Sequence, residues 1–299
     1  MKTENWMSNL DDNLTLDKIS IPGTHDSGTW KTGKGAAHTQ NFGIMTQLRD
    51  GIRFLDIRVK HKSGRNHDPL QIYHGIINCD TSFGEVLTIC ADFLKINPTE
   101  TIIMLIDTAS GDGKNIQKDF DVYLNETEYK DLFNLEPVPP KLAELRGKII
   151  LFRRFPGSRG VDLSTGWKTN ATFTLKTPEG VKFKIEDNYK EHNTKKKAKL
   201  VVKNIESSIN NPDDGVIYIT YNSISQGVPH TPYQYAWGGG FGRVDPAMNP
   251  YLASYLSEYS GKKKFGVIML DYYNNKKGSI NNNNVTLIIN ANVDIALTH

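Results

Sequence analysis

The chain has 299 residues, of which 38% are hydrophobic, and its 36 Lys and Arg against 33 Asp and Glu leave a formal charge of +3. This is enough apolar material for one large domain or two ordinary ones, and the charge is too balanced for a protein whose main task is neutralising nucleic-acid phosphates. The longest apolar runs fall well short of the ~20 residues of a transmembrane helix, and two cysteines, Cys79 and Cys90, are too few for a disulfide framework or a zinc site. We therefore expect a soluble globular enzyme or binding module with no nucleic-acid partner and no transmembrane segment.

Short apolar stretches predict strands at 18–21, 53–59, 70–73, 101–106, 148–152, 216–220 and 265–270. Several are continuous apolar runs, which is typical of a parallel sheet covered on both faces. The clearest helix, at 83–94, has its apolar residues on one face and follows a capping box formed by Ser82 and Glu85. Helical spacing of apolar residues predicts a second helix at 195–208. This alternation predicts an α/β fold with a parallel sheet, and about seven strands favours a barrel.

The chain contains no composition shift that would mark a domain boundary and no internal repeat, so a single domain over residues 1–299 is the simpler prediction. A flexible loop is predicted for the glycine-rich segment 238–242 and a surface turn for the asparagine tract 281–284. The first residues lack the apolar segment of a signal peptide, so none is expected in this sequence.

The most informative segment is 20–28, with the sequence SIPGTHDSG. A short strand would end there in a Pro-Gly turn and then present His25 and Asp26 side by side. Loops at the carboxyl ends of parallel strands are where barrel enzymes carry their reactive groups, which favours a functional interpretation. The alternative is a turn in which Asp26 caps a helix and His25 is merely exposed.

Polar residues also stand at three other predicted strand ends: Asp56 with Arg58, then His74, then Asp271. Asp56 and Arg58 lie on the same side of their strand, which inside a barrel would be the lumen, although a purely structural ion pair is the alternative. All these side chains would meet at one face of a barrel. They suit phosphodiester chemistry, because one His could act as general base, the other could protonate the leaving oxygen, and Arg could neutralise phosphoryl charge.

Several motifs occur in an order that resembles the bacterial phosphatidylinositol-specific phospholipases C. They are ENWM at 4–7, IPGTHDSG at 21–28, RFLDIR at 53–58, HG at 74–75, ETIIM at 100–104, RGKIILF at 146–152 and LDY at 270–272. The resemblance implies an α/β fold, namely a distorted, incomplete TIM (βα)8 barrel. It also implies cleavage of phosphatidylinositol, and of glycosylphosphatidylinositol anchors, without a cofactor.

The resemblance implies a role for each strand-end residue. His25 would take the proton from the inositol 2-hydroxyl, which attacks phosphorus, releases diacylglycerol and leaves inositol 1,2-cyclic phosphate. His74 would be the general acid toward the diacylglycerol oxygen, aided by Asp26. Asp271 would hold His25 in its working tautomer, and Arg58 would bind the phosphate. Because the attack is intramolecular, no protein nucleophile is needed.

For the inositol ring, the resemblance implies contacts from Arg154, Asp187 and Tyr189, although alone Arg154 would be interpreted as a surface base and Tyr189 as a core aromatic. Asp107 is also a candidate inositol-binding residue, because its carboxylate can accept hydrogen bonds from hydroxyls. It departs from the family, which commonly has Lys there, and it reverses the local charge. We therefore expect this protein to tolerate inositols with extra phosphates no better than relatives that carry Lys there. Arg58 stands where calcium-dependent relatives place a metal held by acidic residues, so we expect metal independence.

Relatives insert exposed Trp residues into the membrane, whereas the corresponding segments here, 41–44 and 228–231, contain none. Phe42, Ile44 and Trp237 could substitute, because aromatic side chains favour the interface. The resemblance implies a monomeric, secreted protein. Because the Trp residues are missing, we expect it to bind phosphatidylinositol in membrane surfaces transiently and peripherally.

Two other functions stay open at this point. A metal-dependent glycerophosphodiesterase on a similar barrel would need several acids clustered where this chain places Arg58. A catalytically inactive barrel that binds inositol lipids or glycans is less consistent with the presence of both His25 and His74 beside acidic partners. Release of inositol 1,2-cyclic phosphate, assayed with and without a chelator, separates the three.

Overall fold

A computed structural model describes residues 2–33, 35–64, 67–109, 116–125, 129–225, 230–239, 244–274 and 284–293. Most of the predicted asparagine turn, residues 240–242 of the predicted glycine-rich loop, and residues 228–229 lie outside the described residues. Among the helices in the described ranges, none combines the length and apolar composition that crossing a membrane requires.

Two short 3-10 helices, Thr3–Asn9 and Leu16–Lys18, precede the first strand. The described strands are β1 Ile21–Thr24, β2 Phe54–His61, β3 Leu70–His74, β4 Ile77–Ser82, β5 Ile102–Thr108, β6 Phe133–Asn134, β7 Ile149–Arg153, β8 Val161–Asp162, β9 Ala171–Lys176, β10 Lys182–Asp187, β11 Val216–Tyr221 and β12 Val267–Leu270. The described helices are α1 Ile44–Arg49, α2 Phe83–Ile96, α3 Ile116–Asn125, α4 Leu142–Leu145, α5 Thr194–Asn210, α6 Pro232–Trp237, α7 Met248–Ser257 and α8 Asn284–Asn290.

The main sheet has the strand order β6-β7-β5-β2-β1-β12-β11-β10-β9, and its neighbours are parallel except for β9 and β10. The sheet curls far enough for Phe152 on β7 to pack edge-on against Phe183 on β10, with 5.7 Å between ring centroids. No ladder joins β6 to β9, the two ends of this described sheet. The predicted α/β fold, a distorted and incomplete barrel, is therefore confirmed.

The predicted first strand, at 18–21, is wrong. Lys18 ends a 3-10 helix, and the strand comprises Ile21–Thr24. Pro22 and Gly23 make this an unusual strand sequence, but a Cβ at Gly23 would lie 2.5 Å from the sulfur of Met269 on β12. The glycine is thus required by the close approach of two barrel strands.

The other predicted strands overlap strands of the structure, whereas β4, β9, β10 and the two-residue strands β6 and β8 were not predicted. β9 and β10 form an antiparallel pair at one end of the sheet, with sequences ATFTLK and KFKIED. Polar and apolar residues alternate along most of each strand, so both lack the continuous apolar runs of the central strands.

The predicted helices are confirmed with small changes at their ends. The helix predicted at 83–94 extends to Ile96, and the Ser82 hydroxyl accepts a hydrogen bond from the Glu85 backbone N–H, as the capping motif predicts. The helix predicted at 195–208 is Thr194–Asn210. Cys79 and Cys90 are buried free thiols.

A buried ion pair holds the amino ends of β2 and β5 together. Arg53 and Glu100 are both fully buried, and Arg53 donates from Nε and Nη2 to Glu100 Oε2 over 2.9 and 2.7 Å. Arg53 Nη1 also donates to the carbonyls of Leu48 and Ile52. Because the charges are paired and hydrogen-bonded, the desolvation cost of burying them is offset. The strand ends opposite this pair carry the candidate site.

Candidate active site

His25 follows β1 directly, and its imidazole lies between two carboxylates. Its Nδ1 is 2.8 Å from Asp271 Oδ1, and its Nε2 is 3.1 Å from Asp26 Oδ2, with all three side chains buried. The backbone N–H of His25 donates to the carbonyl of Leu270, which continues the pairing of β1 with β12. The ladder between these strands therefore places Asp271 beside His25.

Asp26 has a left-handed backbone, with φ 44°. Successive side chains alternate between the faces of a regular strand, so this turn is what lets His25 and Asp26 face the same cleft. Asp26 Oδ2 also lies 3.3 Å from Nε2 of His74, and Asp26 Oδ1 lies 2.6 Å from Nε of Arg58. One carboxylate thus contacts both histidines and the arginine.

His74 is the last residue of β3. Its Nδ1 is 2.9 Å from the carbonyl oxygen of Ala37, while its Nε2 faces Asp26. Both ring nitrogens therefore face acceptors, which is the arrangement that a protonated imidazole satisfies. Gly28 lets the chain after Asp26 approach β3, because a Cβ there would lie 2.5 Å from the side chain of Ile72.

Arg58 and Asp56 extend from β2 into the same cleft, as their spacing in the sequence predicts. Arg58 Nη2 lies 3.5 Å from Asp56 Oδ2 and 3.4 Å from Nε2 of His25. The Arg58 side chain is 27% exposed, whereas Asp56 is fully buried beneath it. The guanidinium is therefore the accessible cation of this group.

The pKa values of these groups are strongly displaced. Burial alone would lower the pKa of His25, but Asp26 and Asp271 raise it well above 6.5. Burial would raise the pKa of Asp26, but Arg58, His25 and His74 hold it well below its usual range. Burial raises the pKa of Asp271, against the attraction of His25. These shifts favour the protonated form of His25 and the ionised form of Asp26 in the free protein.

A second linked group lies at the ends of β5, β7 and β10. Arg154 Nη1 is 2.9 Å from Asp107 Oδ2, and its guanidinium lies 4.1 Å from the ring centroid of Trp167. The indole N–H of Trp167 donates to Asp187 Oδ2 over 3.1 Å. Burial raises the pKa of Asp187 to about 6. The structure therefore brings Arg154, Asp107 and Asp187 together through a tryptophan that the sequence interpretation missed.

Tyr221, at the end of β11, lies between the two groups. Its ring packs edge-on against His25 and against Trp167, with centroid distances of 5.9 and 6.3 Å. Its hydroxyl is buried and has no hydrogen-bond partner among the described residues. Tyr221 stands at the end of a predicted strand, as His74 and Asp271 do, so the same sequence feature could have identified it as a site residue.

Tyr189 is half-buried and lies two residues beyond the end of β10. Its contacts in the described part of the chain are with neighbours outside the two groups: its ring faces the ammonium of Lys190 at 5.7 Å, and its carbonyl accepts from the Ser225 N–H. Among the predicted inositol-binding residues, it is the one that these contacts do not join to the site.

Trp167 could not be identified from the sequence, because it lies in a segment without strand or helix periodicity.

The donor atoms of His25, Asp26 and Asp56 lie within 4.8 Å of one another, a spacing that could hold a cation. The guanidinium of Arg58 already lies against this set, 2.6 Å from Asp26 and 3.5 Å from Asp56. A second cation in this place would face the positive charge of Arg58. The carboxylates are thus compensated by a protein side chain.

The residues predicted to contact membranes are mostly covered. Ile44 is fully buried at the start of α1, so its predicted membrane contact is wrong. Phe42 is half-buried and packs against Tyr273, with 6.1 Å between ring centroids. Trp237 is half-buried, and its indole N–H donates to the carbonyl of Tyr272.

Comparisons with known proteins agree with the geometry. The family model described as phosphatidylinositol-specific phospholipase C, X domain, matches residues 19–155. The chain is 31% identical over 291 residues to a 1-phosphatidylinositol phosphodiesterase of Staphylococcus aureus (strain Newman), covering 90% of this chain and 88% of that protein. It is also 31% identical over 286 residues to a protein of the same name from Listeria monocytogenes, covering 90% of this chain and 81% of that one.

Solved structures give the same result. A crystal structure of the phosphatidylinositol-specific phospholipase C from Staphylococcus aureus, with pentafluoro-Phe incorporated, matches with a TM-score of 0.85 and 29% identity over 97% of this chain and 98% of the other. The phosphatidylinositol-specific phospholipase C from Listeria monocytogenes matches with a TM-score of 0.75 and 26% identity over 98% of this chain and 99% of the other.

Proposed function

The chain belongs to the bacterial phosphatidylinositol-specific phospholipase C family, and we propose that it cleaves phosphatidylinositol to diacylglycerol and inositol 1,2-cyclic phosphate without a metal ion. The observation that carries the proposal is the cluster in which Asp26 contacts His25, His74 and Arg58 at 3.1, 3.3 and 2.6 Å. A proton acceptor, a proton donor and a phosphate-binding cation are thereby held around one point.

His25 is the general base for the inositol 2-hydroxyl. Asp271 lies at its Nδ1, so the Nδ1–H donates to this carboxylate and Nε2 faces the cleft as the acceptor. The base must first lose the proton that its raised pKa retains, so activity rises with pH on the acid side. The hydroxyl oxygen then bonds to phosphorus and its proton passes to Nε2.

His74 is the general acid. As the bond from phosphorus to the diacylglycerol oxygen breaks, that oxygen takes the proton of His74 Nε2, which Asp26 positions from 3.3 Å. Hydrolysis of the cyclic phosphate exchanges the two roles. His74 takes a proton from a water molecule whose oxygen bonds to phosphorus, and His25 returns a proton to the 2-oxygen as its bond to phosphorus breaks. A general acid or base of this kind typically contributes about 10²–10⁴-fold in rate.

Arg58 binds the phosphoryl oxygens. Its partly exposed guanidinium offers a planar set of donors, and it exchanges part of its contact with Asp26 for the phosphodiester. Because this fixed cation compensates Asp26 and Asp56, the proposed reaction needs no metal at that place. The same feature counts against a metal-dependent glycerophosphodiesterase.

Asp187 and Arg154 contact the inositol hydroxyls, and Trp167 holds them at a fixed separation through its hydrogen bond and its ring. Asp107 acts as the partner of Arg154, which makes that pair electrically neutral. Tyr189 is proposed as the stacking surface for the ring on the strength of the family resemblance alone.

The remaining proposals concern the whole protein. We propose one catalytic domain over 1–299, a monomer that binds membrane surfaces transiently, action on glycosylphosphatidylinositol anchors as well, and secretion. They are supported by the family membership and, for the domain, by a sheet that runs from β6 to β9 in one path.

The test is an assay of inositol 1,2-cyclic phosphate released from phosphatidylinositol, with and without excess chelator, for the unaltered protein and for His25→Ala. We expect equal release with and without chelator, and a loss of at least about 10²-fold in the variant. If the unaltered protein releases no cyclic product, the proposed function is wrong. If calcium restores activity after chelation, metal independence is wrong.

A further inference from the structure

The hairpin formed by β3 and β4 ends in an exposed pair of isoleucines. Gly75 and Ile76 form its two-residue turn, with Gly75 at φ 58°. Ile76 is 83% exposed and Ile77, the first residue of β4, is 45% exposed. Turns of this kind favour Gly, Asn, Asp and Ser, so a β-branched apolar residue there gains nothing for the hairpin itself.

The pair lies at the mouth of the candidate active site. Ile77 is the direct cross-strand partner of His74, so the two side chains lie on the same face of the hairpin. On that face, Nε2 of His74 is 3.3 Å from Asp26. The apolar side chain of Ile77 thus stands next to the proposed general acid.

We propose that Ile76 and Ile77 are the apolar membrane contact of this protein, on the side of the cleft through which diacylglycerol leaves. The inference rests on the proposed function, in which His74 protonates the diacylglycerol oxygen. The glycerol and its acyl chains must then lie on the His74 side of the phosphate. An apolar pair in that position fits the boundary between lipid headgroups and acyl chains.

Other exposed apolar residues among the described ones do not compete for this role. Ile96, Val138 and Tyr251 are exposed singly and belong to separate parts of the chain. Ile96 ends α2, shortly before β5 begins, and therefore lies toward the opposite end of the barrel from the site. A single exposed apolar residue is ordinary, whereas an adjacent pair at a catalytic opening marks a binding surface.

The test compares Ile76→Ser and the double variant Ile76→Ser/Ile77→Ser with the matched control Ile96→Ser. The first measurement is sedimentation with vesicles of phosphatidylcholine and phosphatidylglycerol, which contain no substrate. The second is turnover of phosphatidylinositol in vesicles, and the third is hydrolysis of water-soluble inositol 1,2-cyclic phosphate. Ile76→Ser changes only a turn residue, so it stays informative even if the double variant is poorly folded.

We expect the double variant to bind vesicles at least about tenfold more weakly and Ile76→Ser several-fold more weakly, with parallel losses in vesicle turnover. Hydrolysis of the soluble cyclic phosphate should stay unchanged, and Ile96→Ser should match the unaltered protein in all three measurements. Unchanged vesicle binding of both hairpin variants, or an equal loss in Ile96→Ser, would overturn the proposal. An equal loss on the soluble substrate would overturn it too, because the hairpin would then serve only the geometry of His74.

Failure of the proposed function gives a different result. If the unaltered protein cleaves neither substrate but still loses vesicle binding on Ile76→Ser, the membrane contact is supported and the enzymatic proposal is wrong. If it cleaves the soluble substrate and neither hairpin variant affects vesicle binding, the chemistry is supported and the membrane contact is wrong.

Discussion

Replacing Asp187 with Asn is expected to stabilise the protein at neutral pH and to impair its activity. Asp187 is 8% exposed, and burial raises its pKa from 3.8 to about 6, although Lys197, Trp167 and Arg154 counteract the rise. The folded protein therefore holds a carboxylate in a place that favours its neutral form. Asn resembles that neutral form and keeps an oxygen that can accept the hydrogen bond of the Trp167 indole.

The difference between the folded and unfolded pKa values gives the magnitude. A rise from 3.8 to about 6 corresponds to about 3 kcal/mol of unfolding free energy. Below pH 3.8 the carboxyl is protonated in both states and costs nothing. Between pH 3.8 and about 6 only the unfolded chain has released the proton, so stability falls as pH rises. Above about 6 the whole cost is present.

Chemical denaturation of the unaltered protein and of Asp187→Asn at pH 4 and pH 7.5 measures the effect. The variant should gain about 2–3 kcal/mol at pH 7.5 and little at pH 4. Phosphatidylinositol turnover should fall about 10–100-fold, because an amide oxygen accepts inositol hydroxyls less strongly than a carboxylate. Asp213→Asn, at a carboxyl that is exposed and contacts Lys18, is the matched control and should show no such gain. A gain that is equal at both pH values, or a loss at pH 7.5, would refute the reasoning.

Three further predictions concern other buried groups. Asp271→Asn removes one of the carboxylates that raise the pKa of His25, so the acid limb of the pH–rate profile should move to lower pH. At the same time kcat should fall about 10²–10⁴-fold. NMR titration of His25 measures the pKa shift directly. The attraction between protonated His25 and these carboxylates contributes fully to the unfolding free energy below pH 6.5, and this contribution is lost as pH rises through the raised pKa. In denaturation curves, the unfolding free energy of the variant should therefore fall less over this pH range than that of the unaltered protein. Glu100→Gln leaves the charge of Arg53 buried without its partner and should lower the unfolding free energy by about 3–5 kcal/mol, measured by urea denaturation. Tyr221→Phe removes a buried hydroxyl that has no hydrogen-bond partner in the described part of the chain, and it should raise the unfolding free energy by about 1 kcal/mol. A destabilised variant would mean that the hydroxyl is bonded in the folded protein.

The sequence was a good guide to the apolar strands of the barrel and a poor guide to the antiparallel pair at one end of the sheet and to β1 in its middle. Central strands such as β5 and β7 are covered on both faces, so they appear as uninterrupted apolar runs. β9 and β10 carry lysines and threonines on one face, so a search for uninterrupted apolar runs does not detect them. β1 contains Pro22 and Gly23, and only its neighbours in the sheet make it a strand.

The search for polar residues at the ends of predicted strands succeeded for a similar reason. A polar residue that ends an apolar strand is obvious in the sequence, and the topology brings these ends together, as it does for His25, His74 and Asp271. Trp167 follows no such run, so only the folded chain brings it to Arg154 and Asp187. Ile44 was chosen for its apolar character, but periodicity could not say whether it faces lipid or core.

The two glycines of the IPGTHDSG motif explain why the site depends on this particular sequence. Gly23 lies against Met269, two residues before Asp271, and Gly28 lies against Ile72, two residues before His74. In both places an added Cβ would come within 2.5 Å of the neighbouring strand. Each glycine therefore sets the distance between the loop of His25 and a strand that carries one of its partners. Between them, the left-handed turn at Asp26 directs two consecutive side chains into one cleft, so the backbone of eight residues determines the separation of the proposed acid and base.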